Sequence, residues 1–371
     1  MTVTPWEVSG ITDYSKLIKE FGINLMGKLP EIFNENPLFR RKIVFAHRDF
    51  EKILDAIKNR RPFVMMTGLM PSGKFHLGHM LLALQMVFYQ RLGAKVYIAI
   101  ADLEAYNARQ KNLGDLRKIA ADQYLLNYAA LGLDLNKCDI YFQSERSQDP
   151  GKSNAYYRLA SNFSRYATFN EFKAVYGDIS PGKMNASLLQ AADMYHPQLP
   201  EFEGGPVVTF IPVGIDQDPH IRIARDMANR DRDYGFLPIA STYHLFLPGL
   251  KGNGKMSSSD ENSFIAMTDS PKEVETKIKK YAFSGGKDTR EEHIKKGGNP
   301  DVDVSFQYLK MFFEPDDGKL MKIEEDYRAG KLLTAELKEY LIKKINAFLK
   351  EHQEKREKAK KETEKFIYKQ K

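Results

Sequence analysis

Cysteine occurs once in the 371 residues, at Cys138, which excludes a disulfide framework and any zinc or iron–sulfur site built from cysteines. Long apolar runs are missing as well. Stretches such as Val96 to Ala101 fall far short of the ~20 residues that a membrane span needs. The opening MTVTPWEVSG has no basic stretch followed by an apolar one, so no secretory leader is expected. No internal repeat recurs. What remains is ordinary in kind: 42% hydrophobic and 28% charged residues exclude wholesale disorder, and the length suits two or three domains. These absences predict a soluble, cytoplasmic protein with no membrane partner.

The net charge of +7 is unevenly spread. Residues 331–371 hold thirteen Lys/Arg against seven Glu, so nearly the whole excess sits there. A basic end points to a polyanion, above all nucleic acid. A solvated helix of Lys/Glu pairs is the alternative on charge alone.

Residues 1–60 read as an N-terminal accessory element, with helical patterns at Tyr14–Phe21 and Asp49–Lys58 and a Pro/Asn-rich loop around Asn34–Pro37. Pro62 to Thr67 then has strand character. An apolar helix follows from His79 to Leu92, Gly93 stops it, and Lys95 to Ala101 is a second apolar run. Strand, crossover helix and strand make a βαβ unit with parallel strands buried on both faces. Residues 105–204 are mainly helical in pattern, with amphipathic stretches at Leu116–Leu131 and Asn154–Phe163. Pro206 to Val213 returns to buried-strand texture and leads into a helix near Asp218–Ala228. The fold class expected is α/β: a parallel-sheet domain over 61–260 split by a helical insertion at about 105–204, then an all-helical domain over 261–371. In that last domain Leu333, Leu337, Leu341, Ile345, Phe348 and Leu349 recur at helical spacing as a core face. From Glu351 to Lys365 apolar residues nearly vanish, which predicts a solvated helix or protruding tail.

Two motifs carry chemistry. Gly68 to Lys74 fits the first seven positions of a GxxxxGK phosphate loop, but the next position needs a hydroxyl for magnesium and holds Phe75. The stronger reading is His76-Leu77-Gly78-His79 at the start of a helix. Gly78 lets a purine or phosphate approach the backbone, and the two imidazoles share one face of a turn whose N-terminus favours negative charge. A metal pair without a third ligand, or two surface histidines, are the plainer readings. The second motif is Lys255-Met256-Ser257-Ser258-Ser259 in a Gly-rich loop. One ammonium and three hydroxyls suit a mobile loop that closes over a triphosphate, and a helix N-cap cluster is the alternative.

In this order, flanking a split βαβ domain, HLGH and KMSSS resemble the HIGH and KMSKS signatures of class I aminoacyl-tRNA synthetases. The wider chain is similar to archaeal and eukaryotic tryptophanyl-tRNA synthetases, through PWEVSG and DYSKLIKEFG (5–22), RRKIVFAHRDF (40–50), GIDQDPHIRIARD (214–226) and AFSGGKDTREEHIKKGGNPDVDVSF (282–306). The resemblance implies a Rossmann-like catalytic domain, a helical anticodon-binding domain for tRNA(Trp), and a homodimer built through the insertion. It implies ATP and L-tryptophan as substrates, Mg2+ carried on the triphosphate and no protein-bound zinc. It gives His76, His79 and Lys255 catalytic roles, and places Gly73, Lys74, Gly78, Gly214, Asp216, Met256, Ser257 and Ser258 around ATP. The amino-acid pocket would comprise Met66, Glu104, Gln190, Asp193 and Gln217.

An indole offers one donor, so a selective pocket needs a buried acceptor. Glu104 matches the family's glutamate for that purpose, and crowding with Asp102 and Asp193 is expected to raise one carboxyl pKa. Three departures stand against this. Met66 occupies the place of a family tyrosine, Ala99 replaces a glutamine, and Gln190-Ala-Ala-Asp193 resembles the QxxD of tyrosyl enzymes. Tyrosine is therefore a second substrate reading, and a nucleotidylyltransferase without tRNA a third.

Overall fold

The computed structural model describes residues 2–3, 8–9, 14–109, 112–252, 256 and 260–368. A small ribbon pairs Thr2–Val3 with Val8–Ser9. The centre is a seven-stranded sheet: β1 (Asn24–Leu25), β2 (Val44–Arg48), β3 (Phe63–Leu69), β4 (Lys95–Ile100), β5 (Cys138–Phe142), β6 (Val208–Gly214) and β7 (Ala240–His244). Their spatial order is β1-β2-β7-β6-β3-β4-β5. The five from β7 to β5 are parallel, while β2 runs antiparallel to both neighbours. Phe63 to Thr67 are all buried, as a central parallel strand covered on both faces requires.

Alternation divides the side chains between two cores. Met65, Ile98 and Ile100 meet the crossover helix Leu77–Arg91 on one face. Val64, Met66, Tyr97, Ala99 and Tyr141 meet helices Pro150–Phe163, Pro181–Tyr195 and Asp218–Arg230 on the other. This is the Rossmann-like arrangement expected, with two corrections. The region 105–204 is not wholly helical, because β5 lies within it and extends the sheet beside β4. And residues 1–60, expected as an N-terminal accessory element, also supply strands to the sheet: β2 pairs with β7, and the Pro/Asn-rich loop contains one-turn helices Glu31–Asn34 and Pro37–Arg40. Arg40 and Arg41 then reach the helical domain, their Nε atoms donating to Asp317 at 2.6 and 2.7 Å.

The helical domain ends in a 35-residue helix, Thr334–Tyr368. Leu337, Leu341, Ile345 and Leu349 are buried along it, as their spacing predicts, while Leu333 and Phe348 are half-buried. The expected solvated or protruding stretch is a third correction. His352 and Thr363 are buried, Arg356 and Ala359 half-buried, and together they form one inward stripe at helical spacing. His352 Nε2 lies 2.7 Å from Asn127 Oδ1, and Arg356 Nη2 donates to the Asp122 carbonyl at 2.9 Å. Burial, helped by the charges of Arg356 and Lys355, pushes the His352 pKa down to about 4, so the ring is neutral and Nε2–H donates. Among the described residues no helix is long and apolar enough to cross a membrane.

Candidate active site

Chain order reverses at β3: the chain moves outward to β4 and β5, then returns to β6 on the other side. Crevices at such switch points, beyond the carboxyl ends of parallel strands, are where open α/β sheets bind ligands. The turn after β3 leads into His76, and β6 ends in Gly214, so both expected halves of the site flank this crevice.

His76 is the N-cap of helix Leu77–Arg91. Its Nδ1 accepts the Gly78 N–H at 3.1 Å, and His79 Nδ1 accepts the His76 N–H at 3.2 Å. Each ring proton therefore sits on Nε2. The rings stack with centroids 3.8 Å apart, and no acidic side chain occupies the first turn. Two imidazole N–H groups at the positive end of a helix dipole suit a phosphate oxygen. The GxxxxGK alternative is excluded by packing, since Phe75 is fully buried between His79 and Tyr124.

The chain downstream of the serine loop comes back to this turn. Leu77 N donates to Ile265 O at 3.1 Å and Met267 N to Phe75 O at 3.0 Å, an antiparallel bridge centred on His76 and Ala266. Met256 is buried, and Lys74 Nζ pairs with Glu261 at 2.9 Å. Lys251 and Asp260 close the base of the loop at 2.7 Å. Lys255, Ser257 and Ser258 lie outside the described residues; Gly73 sits half-buried in the turn before His76. At the opposite lip a methyl on Gly214 would fall 2.7 Å from Asp216 Oδ1 and 2.8 Å from the Phe246 ring, so only glycine fits. Asp216 is buried and accepts from Gln217 Nε2 at 3.1 Å.

Met66, Ala99 and Tyr141 lie in the core on the other face of the same sheet, with helix Pro181–Tyr195. That helix carries Gln190, half-buried, and one turn later Asp193, which is 3% exposed. Three protein donors hold Asp193: Tyr141 and Tyr156 hydroxyls each donate to Oδ1 at 2.7 Å, and Gln143 Nε2 donates to Oδ2 at 2.8 Å. An ionised carboxylate has about four acceptor positions, so one is left on Oδ2. Burial raises the Asp193 pKa to about 6, against the pull of these donors and of Arg146. Arg146 is itself locked beneath the pocket, with Nε on His196 Nε2 at 2.9 Å and its guanidinium 4.0 Å from the Tyr141 ring centre. A raised carboxyl pKa was expected from carboxylate crowding; the cause here is desolvation. The same holds for Asp102, raised by burial while Ser144 hydrogen bonds oppose the shift.

Glu104 is less buried. It is half-exposed in the first turn of helix Asp102–Arg109, where its charge reinforces the burial that raises the Tyr176 hydroxyl pKa. Of Glu104 and Asp193, Asp193 is the buried carboxylate. Its partners Tyr141, Tyr156 and Gln143 gave no sequence signal as periodic core aromatics, although a fully buried tyrosine always demands an acceptor for its proton. Among the described residues no group of three or more His, Cys, Asp or Glu converges as a metal site.

The profile of the tRNA synthetases class I (W and Y) matches residues 58–350. The chain belongs to this class I tRNA synthetase family. It is 42% identical over 367 residues to tryptophan–tRNA ligase of Methanocaldococcus jannaschii, covering 97% of this chain and 96% of that protein. Tryptophan–tRNA ligase of Hyperthermus butylicus is also 42% identical, with 96% and 95% covered. The crystal structure of tryptophanyl-tRNA synthetase from Aeropyrum pernix K1 superposes with a TM-score of 0.89 at 40% identity, over 98% of each chain. That from Giardia lamblia gives 0.84 at 32% identity, over 95% of each.

The synthetase is an aminoacyl-tRNA ligase, and the tight fit at Gly78 of its HLGH turn makes the expected ATP role measurable. A methyl at Gly78 would lie 3.0 Å from His76 Cε1 and Nδ1 and 3.5 Å from Met256 Cβ. The imidazole cannot yield without breaking the helix cap. Gly78→Ala is expected to raise KM for ATP roughly tenfold, the scale of an overpacked contact, while KM for the amino acid stays put. Steady-state ATP–pyrophosphate exchange measures both.

Proposed function

We propose that this synthetase joins L-tryptophan to ATP as tryptophanyl-adenylate and transfers the amino acid to tRNA(Trp). Relatives named tryptophan–tRNA ligase support this over nearly the whole chain. The observation that carries it on physical grounds is Asp193. It is buried and offers one remaining acceptor position, while the Tyr141 and Tyr156 protons are already committed to it. An indole N–H needs an acceptor and nothing more. A phenol would also bring an oxygen that needs a donor.

The substrate carboxylate is ionised at neutral pH and needs no general base. Its oxygen attacks the α-phosphorus in line, and the bond from that phosphorus to the β-bridging oxygen breaks, releasing pyrophosphate. His76 and His79 steady the α-phosphate and Gly78 admits the adenine face. Gly73, Lys74, Lys255, Met256, Ser257 and Ser258 serve the phosphate tail, where Mg2+ rides on the substrate, and Gly214 and Asp216 line the far lip. Gln190 and Gln217 hold the ammonium and carboxylate; Glu104, half-exposed, suits an ammonium better than an indole. The terminal adenosine 2′-hydroxyl then attacks the adenylate carbonyl and AMP leaves. The helical domain reads the anticodon, the insertion forms a homodimer, and the enzyme works in the cytoplasm.

Pyrophosphate exchange run separately with tryptophan and with tyrosine tests the reading. Tryptophan-dependent exchange is expected. Exchange supported by tyrosine alone, or without any amino acid, would replace it by one of the two alternatives.

A further inference from the structure

The segment that follows the serine loop is held from two sides. On one side it bridges to the ATP turn through the Leu77–Ile265 and Met267–Phe75 backbone bonds. On the other side the C-terminal helix reaches it through Gln353. Gln353 Nε2 donates to the carbonyls of Met267 and Asp269, both at 3.1 Å. Both amide protons are used, one on each carbonyl. The Met267 peptide thus joins the C-terminal helix to the residue before His76.

The rest of the segment is braced, not free to compensate. Ala266 N donates to Asp269 Oδ2 at 2.9 Å, and Lys277 Nζ pairs with the same oxygen at 2.7 Å. Beside Gln353 the two elements are not packed together. A cleft of about 760 Å3, lined by Thr268, Asp269, Pro271, Asn346 and Lys350 among others, opens between them and holds no residue of the active site. The link at this point is polar and local. Behind Gln353 the helix is fixed to the catalytic domain by His352 on Asn127 and Arg356 on the Asp122 carbonyl. Its other end belongs to the helical bundle through Leu337, Leu341 and Ile345.

We propose that Gln353 is a positioning residue for adenylate formation: from the C-terminal helix it sets the backbone at 265–269 against the HLGH turn. It touches neither substrate. It acts by holding the backbone at 265–267 against the backbone at 75–77, so it influences the step in which charge grows on the leaving pyrophosphate. The kinetic part rests on the ligase reading above; the geometric part does not.

Three substitutions separate the roles. Gln353→Glu keeps size and removes both donors, setting a carboxylate against two carbonyl oxygens. Gln353→Leu keeps bulk only. Gln353→Arg restores N–H donors on a longer arm. The expected result is that Glu and Leu lower kcat for tryptophan-dependent pyrophosphate exchange about tenfold, the scale of ~1.4 kcal/mol, with the tryptophan dissociation constant unchanged, and that Arg recovers most of it. Amide hydrogen exchange at Ala266 and Met267, measured on the intact enzyme without substrates, should quicken in the Glu and Leu variants and not in Arg. Wild-type kcat in Gln353→Glu overturns the proposal. So does loss of kcat and tryptophan affinity together in all three, which would make the contact merely structural. If the wild type fails to use tryptophan, the exchange pattern at Ala266 and Met267 still decides the geometric link.

Discussion

Asp193→Asn is expected to lower kcat/KM for tryptophan by roughly thirty- to a thousandfold. A hydrogen bond to a charged acceptor is worth ~1.5–3 kcal/mol and one to a neutral acceptor ~0.5–1.5, so the indole contact alone loses about 1 kcal/mol. The amide adds a second penalty. Tyr141, Tyr156 and Gln143 all point donors at this side chain, and an Asn NH2 would face at least one of them. Leaving a buried donor unpaired costs ~1–3 kcal/mol. The pH profile carries the same information with a definite sign. With a pKa raised to about 6, Asp193 is ionised at pH 7.5 and loses its remaining acceptor position as the pH falls through that value. Tryptophan kcat/KM should therefore drop on the acid side in the wild type, and that limb should vanish in Asp193→Asn. Stability runs the other way: a carboxyl whose folded pKa is raised stabilises the fold below its unfolded pKa, and that contribution is lost as pH rises through about 6. The pocket holds a charge that the fold alone would rather protonate. Equal kcat/KM for both proteins across pH 5–8 would remove Asp193 from the recognition of the indole.

Lys255→Ala should slow adenylate formation by roughly a hundredfold, the scale of losing one charge-stabilising donor at a developing anion. Tryptophan affinity should hardly change, because Tyr141 and Tyr156, which hold Asp193, belong to a different core from Met256, the residue after Lys255 in sequence. Met256, next in sequence, is buried, and a methyl on Gly78 would come within 3.5 Å of its Cβ, which ties this stretch to the ATP turn. Pre-steady-state formation of the adenylate reads the rate and equilibrium quenching of fluorescence reads the affinity. Normal turnover with weakened tryptophan binding would mean the lysine serves the other half of the pocket.

Much of this was legible because parallel strands and their crossover helix announce themselves by unbroken apolar runs. Phe63–Leu69, Lys95–Ile100 and Val208–Gly214 fall where such runs occur. Val44–Arg48 and Cys138–Phe142 were missed because each is five residues long and mixes charged or polar side chains into the run. His76 and His79 were legible as chemistry because little else explains two histidines and a glycine at a helix start. Asp193 was visible only through a resemblance that pointed to a different ligand, and Gln143 not at all, since no periodicity distinguishes a glutamine in a pocket from one in solvent. The C-terminal stripe misled for a related reason. His352, Gln353, Arg356 and Thr363 face inward without being apolar, and a pattern of hydrophobicity cannot register a seam made of hydrogen bonds.

The strand order also fixes a timetable for the growing chain. β2 emerges early, yet its long partner β7 lies between it and β6, so the sheet stays open until Ala240–His244 have been made. At ~5–20 residues per second that wait lasts on the order of ten to forty seconds. During it the ribosome-bound chain displays an unpaired edge that a chaperone or a neighbouring nascent chain can occupy. Gln353 arrives later still, so the HLGH turn acquires its outer brace only after every strand of the sheet has been made.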